Sequence, residues 1–172
     1  MKQTAHHREV GKPFHSLVLA LQTRISSIGT YISTGTSMVA EMTKIADMTP
    51  LQAHDVVTRG LPVALAREMI DEYGVVSRDA LLLAIGVSER TLQRGKDESR
   101  LLDSNATDRL LRLASITEQA IDVLGSKEAA EHWLSQPAIG LDQRRPIDLL
   151  QSSEGAELVK TLLIRMDYGV YS

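Results

Sequence analysis

From Thr49 onward, apolar residues recur every three or four positions and halt at glycines and prolines, the pattern of helices packed on helices. Thr49-Pro50-Leu51-Gln52 reads as a helix start, with Thr49 as N-cap, Pro50 at the first helical position and Gln52 completing a capping box. That helix should run to Gly60. Pro62 opens a second, Val63 to Tyr73, with Leu65, Met69 and Ile70 inward and Gly74 as its stop. Ser77 caps a third, to Ala84. The stretch Thr107–Leu124, preceded by Asn105, places Leu110, Leu113, Ala114, Ala120, Ile121 and Leu124 on one face and Arg109, Arg112, Glu118 and Asp122 on others. Such a helix spans about 27 Å, enough to bridge two small domains. Gly125 ends it, and Ser126 caps Lys127–Ser135, with Ala129, Ala130, Trp133 and Leu134 inward. After a loop punctuated by Pro137, Gly140 and Pro146 come a short helix, Ile147–Gln151, and a longer one, Ala156–Asp167. The longer one turns Val159, Leu162, Leu163 and Met166 inward, and Gly169 closes it. Strand-like alternation and internal repeats are absent from the sequence. The predicted fold class is all-α.

The first 48 residues are less legible. Ser, Thr, Gly and Met crowd Ser26–Met42, and helices are expected only over about Ser16–Ile28 and Met38–Ala46. The expected organisation is an N-terminal extension (1–48), a helix-turn-helix bundle (49–104) and a small helical C-terminal domain (105–172), with 105–124 as the bridging helix.

Composition narrows the class further. Hydrophobic residues make up 43% and charged residues 24%, too apolar for a disordered chain. Aromatics are only 3%, so the core must be aliphatic. Cysteine is absent, which excludes disulfides, thiolate metal sites and a thiol nucleophile. No stretch reaches the roughly 18 apolar residues of a membrane helix, and no secretory signal is evident, so a cytoplasmic address is expected. The net charge of −3 argues against a general nucleic-acid coat. Any DNA binding must come from a local patch repeated by dimerisation, and an acidic remainder leaves room for a basic protein partner.

The most DNA-like pattern is Ser77–Lys96. A short helix meets Gly86, which can take the positive φ of a tight turn; Ile85 and Val87 flank it, and Ser88 can cap the next helix. There Leu92 points inward while Glu89, Arg90, Thr91, Gln93 and Arg94 face outward, the layout of a recognition helix. Arg pairs bidentately with guanine and Gln with adenine, while Lys96 and Arg100 suit phosphates. The DNA-binding set is therefore Ser88, Arg90, Thr91, Gln93, Arg94 and Lys96. The alternative is an ordinary helix–Gly–helix corner with solvated polar residues; Leu82, four before the turn glycine, is larger than the motif usually carries.

Enzyme chemistry is not suggested. His6, His7, His15, His54 and His132 are scattered without metal-ligand spacing, and Asp71-Glu72 and Asp97-Glu98 read as solvated helix faces. Gly29 to Ser37 has Thr36 where a phosphate loop needs lysine. The expectation is no enzyme, no metal and no cofactor.

The C-terminal third carries an ordered set of motifs: Ala130-Glu131-His132-Trp133-Leu134-Ser135-Gln136-Pro137, then Gly140-Leu141, then Pro146-Ile147-Asp148-Leu149-Leu150, then Gly155, Val159, and Arg165 through Gly169-Val170-Tyr171. These resemble the toxin-binding domain of the Xre/MbcA/ParS antitoxins. Upstream, Gly60-Leu61-Pro62, Gly86-Val87-Ser88-Glu89-Arg90-Thr91-Leu92 and Asp108–Ala114 are similar to the same family, so the likeness runs from Thr49 to Ser172. It implies an antitoxin paired with a RES-type toxin, an NAD-depleting enzyme whose active-site entrance the antitoxin's C-terminal region occupies or closes. It also implies that the helix-turn-helix represses the shared operon at operator DNA, as a homodimer within a larger toxin–antitoxin complex. The expected toxin-binding set is Arg144, Arg145, Arg165, Tyr168, Gly169, Val170, Tyr171 and Ser172. The chain departs from the family where a glycine pair commonly follows Leu141; here Asp142 and Gln143 stand. The residues themselves add that aromatics beyond the last helix, Tyr168 and Tyr171, have little core to join and suit an interface. Trp133 reads as core, with a binding anchor as the alternative. A dimeric repressor without a toxin partner remains the other reading.

Overall fold

A capping box, a proline-led turn and two left-handed glycines set the course of the chain in the computed structural model, which describes residues 48–94 and 100–169. Helix α1 spans Pro50–Arg59; the Thr49 hydroxyl accepts from the Gln52 amide (3.3 Å) while the Gln52 side chain accepts from the Thr49 amide (2.8 Å). Helix α2 (Val63–Asp71) follows Pro62, and α3 (Arg78–Ile85) is capped by Ser77, as expected. Gly86 takes φ +79°, and its amide and that of Val87 both donate to the Leu82 carbonyl, turning the chain into α4 (Glu89–Arg94). Leu82 fits as a buried core residue.

Helix α5 (Ser104–Leu124) is the spine. It starts earlier than the sequence predicts, because Asp103 and not Asn105 is the N-cap, its carboxylate accepting from the Ala106 amide at 2.8 Å. That start buries Thr107, whose hydroxyl accepts the Leu61 amide at 3.2 Å. Helix α6 (Lys127–Ser135) begins at its predicted cap, Ser126. After a 3-10 turn, Ile139–Leu141, come α7 (Pro146–Leu149) and α8 (Ser153–Asp167). The last helix is longer than expected, because Ser152 caps it, accepting from the Gly155 amide at 3.0 Å. Gly155 is required there: a Cβ would lie 2.2 Å from the Leu149 carbonyl oxygen, so only glycine lets the first turn of α8 sit on the end of α7. The described residues contain no strand; 61–63 and 100–102 pair only through an isolated bridge.

One aliphatic cluster runs through all of this, from Leu61 and Ile70 through Leu92, Leu113 and Ile116 to Ile147 and Leu163. Helix α5 packs against α1, α3, α6 and α8. Within α2, Leu65 is only half-buried; Val63, Ala64, Ala66, Met69 and Ile70 form the inner face. In α6, Trp133 packs half-buried against the cluster, while Ala130, Leu134 and an acid, Glu131, are buried. The expected helices Ser16–Ile28 and Met38–Ala46, with the 1–48 extension they belong to, lie outside the described residues except for Met48. Among the described residues no helix is long and apolar enough to cross a membrane.

Candidate functional site

Two surfaces carry the candidate residues. The first is α4 with the turn before it. Leu92 is fully buried and pins the helix to the core, leaving Arg90 and Gln93 exposed and Thr91 half-exposed. The Ser88 hydroxyl accepts from the Thr91 amide (3.1 Å) and lies 2.9 Å from the Thr91 hydroxyl, so Ser88 acts on the helix start as a cap. The Gln93 side-chain amide donates to Glu89 at 3.4 Å. Among the described residues Arg90 has no hydrogen-bond partner, and its side chain is exposed. Helix α4 ends at Arg94, whose side chain is not described, and Lys96 lies outside the described residues.

What orients α4 escaped the sequence reading. Arg78, at the start of α3, donates to both oxygens of Glu89 (2.8 and 3.3 Å) and also to Asp71 at the end of α2. Three helix ends therefore meet at one guanidinium. The hydrogen bond from Arg78 holds the Glu89 carboxyl below the usual carboxylate range, and Glu89 and Asp71 push the Arg78 pKa up in return. Asp71, read from sequence as a solvated residue, is thus part of the corner. Its separation from Arg78 exceeds one helical turn, and a turn intervenes, so no periodic pattern could reveal the pair.

The second surface is the loop 136–145 with α8. The Ala138 amide donates to the Arg144 carbonyl at 3.0 Å, and the Gln143 amide to the Ala138 carbonyl at 3.1 Å. Asp142 and Gln143 both sit at positive φ, +54° and +60°. The left-handed turn that a glycine pair would make is therefore kept without glycine. Arg145, though exposed, is engaged within the chain, donating to both oxygens of Asp148 (2.7 and 2.8 Å), which raises its pKa. Arg144 and Arg165 are exposed and make no side-chain hydrogen bond to a described residue. Tyr168, 77% exposed, ends α8, and Gly169 follows at φ +67°. Val170, Tyr171 and Ser172 lie outside the described residues.

The 3-10 turn of this loop packs on α8, with the Leu162 side chain where a Cβ on Gly140 would fall. The loop arginines thus belong to the same half of the molecule as Arg165 and Tyr168, apart from the α4 set. Sequence reading missed the apolar side of this surface: Ile139 is 83% exposed, and Leu158 and Ile164 on α8 are about half exposed. Leu158, Thr161, Arg165 and Tyr168 follow one another at helical spacing along an exposed face. The signal was available as apolar residues at outward positions of the helix, which core-directed periodicity passes over. Among the described residues no cluster of His, Asp and Glu could hold a metal ion.

Two stretches of the chain match named families. Residues 52–115 match the antitoxin Xre-like helix-turn-helix domain, and residues 119–169 match the antitoxin Xre/MbcA/ParS C-terminal toxin-binding domain. A protein named Antitoxin Xre from Yersinia enterocolitica is 27% identical over 127 residues, which cover 72% of this chain and 86% of that protein. A second, from Photorhabdus laumondii, is 25% identical over 118 residues (68% and 79%). A third, from Pseudomonas putida, is 31% identical over 80 residues (46% and 50%).

Proposed function

Because the chain belongs to the Xre/MbcA/ParS-type antitoxin family, we propose that it binds and silences a toxin through its C-terminal half and binds operator DNA through α4. The observation that carries this is the order of two matches on one chain, a helix-turn-helix model over 52–115 followed by a toxin-binding model over 119–169. The toxin is a RES-type enzyme that depletes NAD, and the antitoxin represses its own operon as a homodimer in the cytoplasm, without catalytic activity or cofactor of its own. The exposed Leu158, Ile164 and Tyr168 of α8, and Ile139 in the loop, support a protein contact, because large apolar side chains at outward positions of an ordered helix suit a partner's surface. Arg144 and Arg165, both exposed, and the segment 168–172 complete the residues proposed to meet the toxin. On α4, Arg90 and Gln93 supply base-reading chemistry, with Thr91, Arg94 and Lys96 beside them and Ser88 fixing the helix start.

Co-expression with the neighbouring toxin-sized reading frame tests the pairing. The full chain restores growth and cellular NAD, and removal of residues 168–172 weakens that rescue. If neither chain alters toxicity, the toxin reading fails, and a repressor without a toxin partner takes its place. Arg90→Ala combined with Arg94→Ala weakens an operator mobility shift at fixed salt without loss of helicity; unchanged affinity removes α4 as the reader.

A further inference from the structure

A short backbone clasp ties residues 100–102 to the start of α2. The Val63 amide donates to the Arg100 carbonyl at 2.9 Å, and the Leu102 amide to the Leu61 carbonyl at 2.8 Å. Leu61, Val63 and Leu102 are all buried, so the clasp is seated on the core. From this fixed backbone the exposed Arg100 lines a groove of about 500 Å³ together with Gly86, Ser88, Thr91 and Asp103.

The groove runs along one flank of α4. Successive residues turn about 100° around a helix, so Thr91 falls midway between the inward Leu92 and the outward Arg90. Glu89 falls on the other flank, where Arg78 grips it. A second guanidinium stands on the Thr91 side. Arg109 of α5 lies over the turn glycine, its Nη1 2.5 Å from where a Cβ on Gly86 would be. The acid in the groove's described lining, Asp103, holds the Ala106 amide through one oxygen. Two guanidiniums against that one carboxylate leave this flank positive.

A helix about 10–12 Å across, laid in a major groove about 12 Å wide, has a sugar–phosphate wall against each flank. With Arg90 and Gln93 turned to the base edges, the Ser88–Thr91 flank meets one of those walls. We propose that Arg100 is the clamp on that wall, a contact to a backbone phosphate that holds α4 in register while Arg90 and Gln93 read bases. The proposal rests on α4 as the DNA reader and names the group that anchors it. The opposite flank differs in kind, because Arg78 there is committed to Glu89 and Asp71.

Salt and sequence tell a phosphate contact from a base contact. Mobility shifts of the full chain are run over a range of salt on two duplexes of equal length. One carries the sequence upstream of its gene, and the other is that sequence scrambled. Arg100→Ala should lower the slope of log affinity against log salt by about 0.9 for each protomer on the DNA. It should weaken both duplexes by the same factor, with the native Tm retained. Arg100→Lys keeps the charge and should keep the slope, and Lys160→Ala on α8 should leave it unchanged. Arg90→Ala should weaken the upstream duplex more than the scrambled one. An unchanged slope in Arg100→Ala, or a loss confined to the upstream duplex, overturns the clamp and leaves α4 as the reader. A lowered Tm that accounts for the loss assigns Arg100 to the fold and overturns it as well. A native chain that shifts neither duplex removes α4 as the reader and the clamp with it.

Discussion

Glu131 is the residue whose loss should be felt furthest from where it sits. It is 2% exposed on α6, and one of its oxygens, Oε2, accepts hydrogen bonds from the amides of Gly74 (2.8 Å) and Val75 (2.7 Å). Those amides belong to the turn between α2 and α3, so a C-terminal acid holds the helix-turn-helix half in place. Lys127, one turn earlier on α6, lies 3.7 Å from Oε1 and also donates to the Glu72 carbonyl at 2.6 Å. A hydrogen bond to a charged group contributes about 1.5–3 kcal/mol. Two such bonds set a gross loss of about 3–6 kcal/mol for Glu131→Ala. The turn is near the surface, so water recovers part of that, and the desolvation of a buried carboxylate is relieved as well. The net is about 3 kcal/mol, or a fall in Tm of roughly 6–12 °C for a chain of this size. Glu131→Gln keeps one oxygen that can accept both amides as neutral bonds, and should cost about half as much. Urea unfolding followed by circular dichroism measures both, and a single transition is expected because one core serves both halves. If Glu131→Ala costs under about 0.5 kcal/mol, or the Gln and Ala variants are equal, the two amide bonds do not hold the turn and the reasoning fails.

Three further outcomes follow from the backbone and the charged corner. Gly155→Ala puts a Cβ 2.2 Å from the Leu149 carbonyl oxygen and 3.0 Å from its carbon. Backbone cannot yield as a side chain tip can, so thermal unfolding should show a loss of at least about 2 kcal/mol despite alanine's better helix propensity. Gln143→Gly should stabilise, by about 0.5–1 kcal/mol, since the left-handed penalty at φ +60° is relieved while the unfolded chain gains freedom; a lower Tm would show that the turn carries no strain. The Glu89–Arg78 bond depresses the carboxyl's folded pKa, so its contribution is present above the ordinary carboxylate pKa and fades as pH falls through the lowered folded value. The stability gap between the native chain and Glu89→Gln, read by denaturation at pH 6 and pH 3, should therefore narrow in acid; a gap unchanged with pH refutes the pair.

Local signals were legible and distant ones were not. Thr49, Ser77, Ser126 and Gly86 act through bonds within a few residues of themselves, so their residue types announce their roles. The starts of α5 and α8 slipped for the same local reason in reverse. Asp103-Ser104-Asn105 and Ser152-Ser153 offer several competing caps, and burial of Thr107 and the close seat of Gly155 decided between them. Glu131 could not be found, because its partners lie 57 and 56 residues away and an acid on a helix ordinarily faces water. On α4 the outward set was legible from Leu92 as the inward anchor, and so was the Ser88 cap, but the Arg78 corner was not. On α8 Tyr168 was legible as an aromatic beyond the core, whereas Leu158 and Ile164 pass for ordinary helix residues until their exposure is seen.

The shared core changes what each surface depends on. Helix α4 is anchored by Leu92 to the cluster that also holds Leu163 of α8, and α5 packs on helices of both halves. The position of α4 is then fixed by two charged ties in series. Arg78 binds it to the ends of α2 and α3, and Glu131 binds the turn between those helices to α6. Each tie joins elements that helix propensity alone would leave free to pivot, and neither lies among the residues read as DNA or partner contacts. On the proposed reading of α4, a substitution at either tie should therefore disturb operator affinity through the placement of that helix, with Arg90 and Gln93 intact. It should do so in proportion to the stability lost, whereas Arg90→Ala should weaken operator binding at unchanged stability.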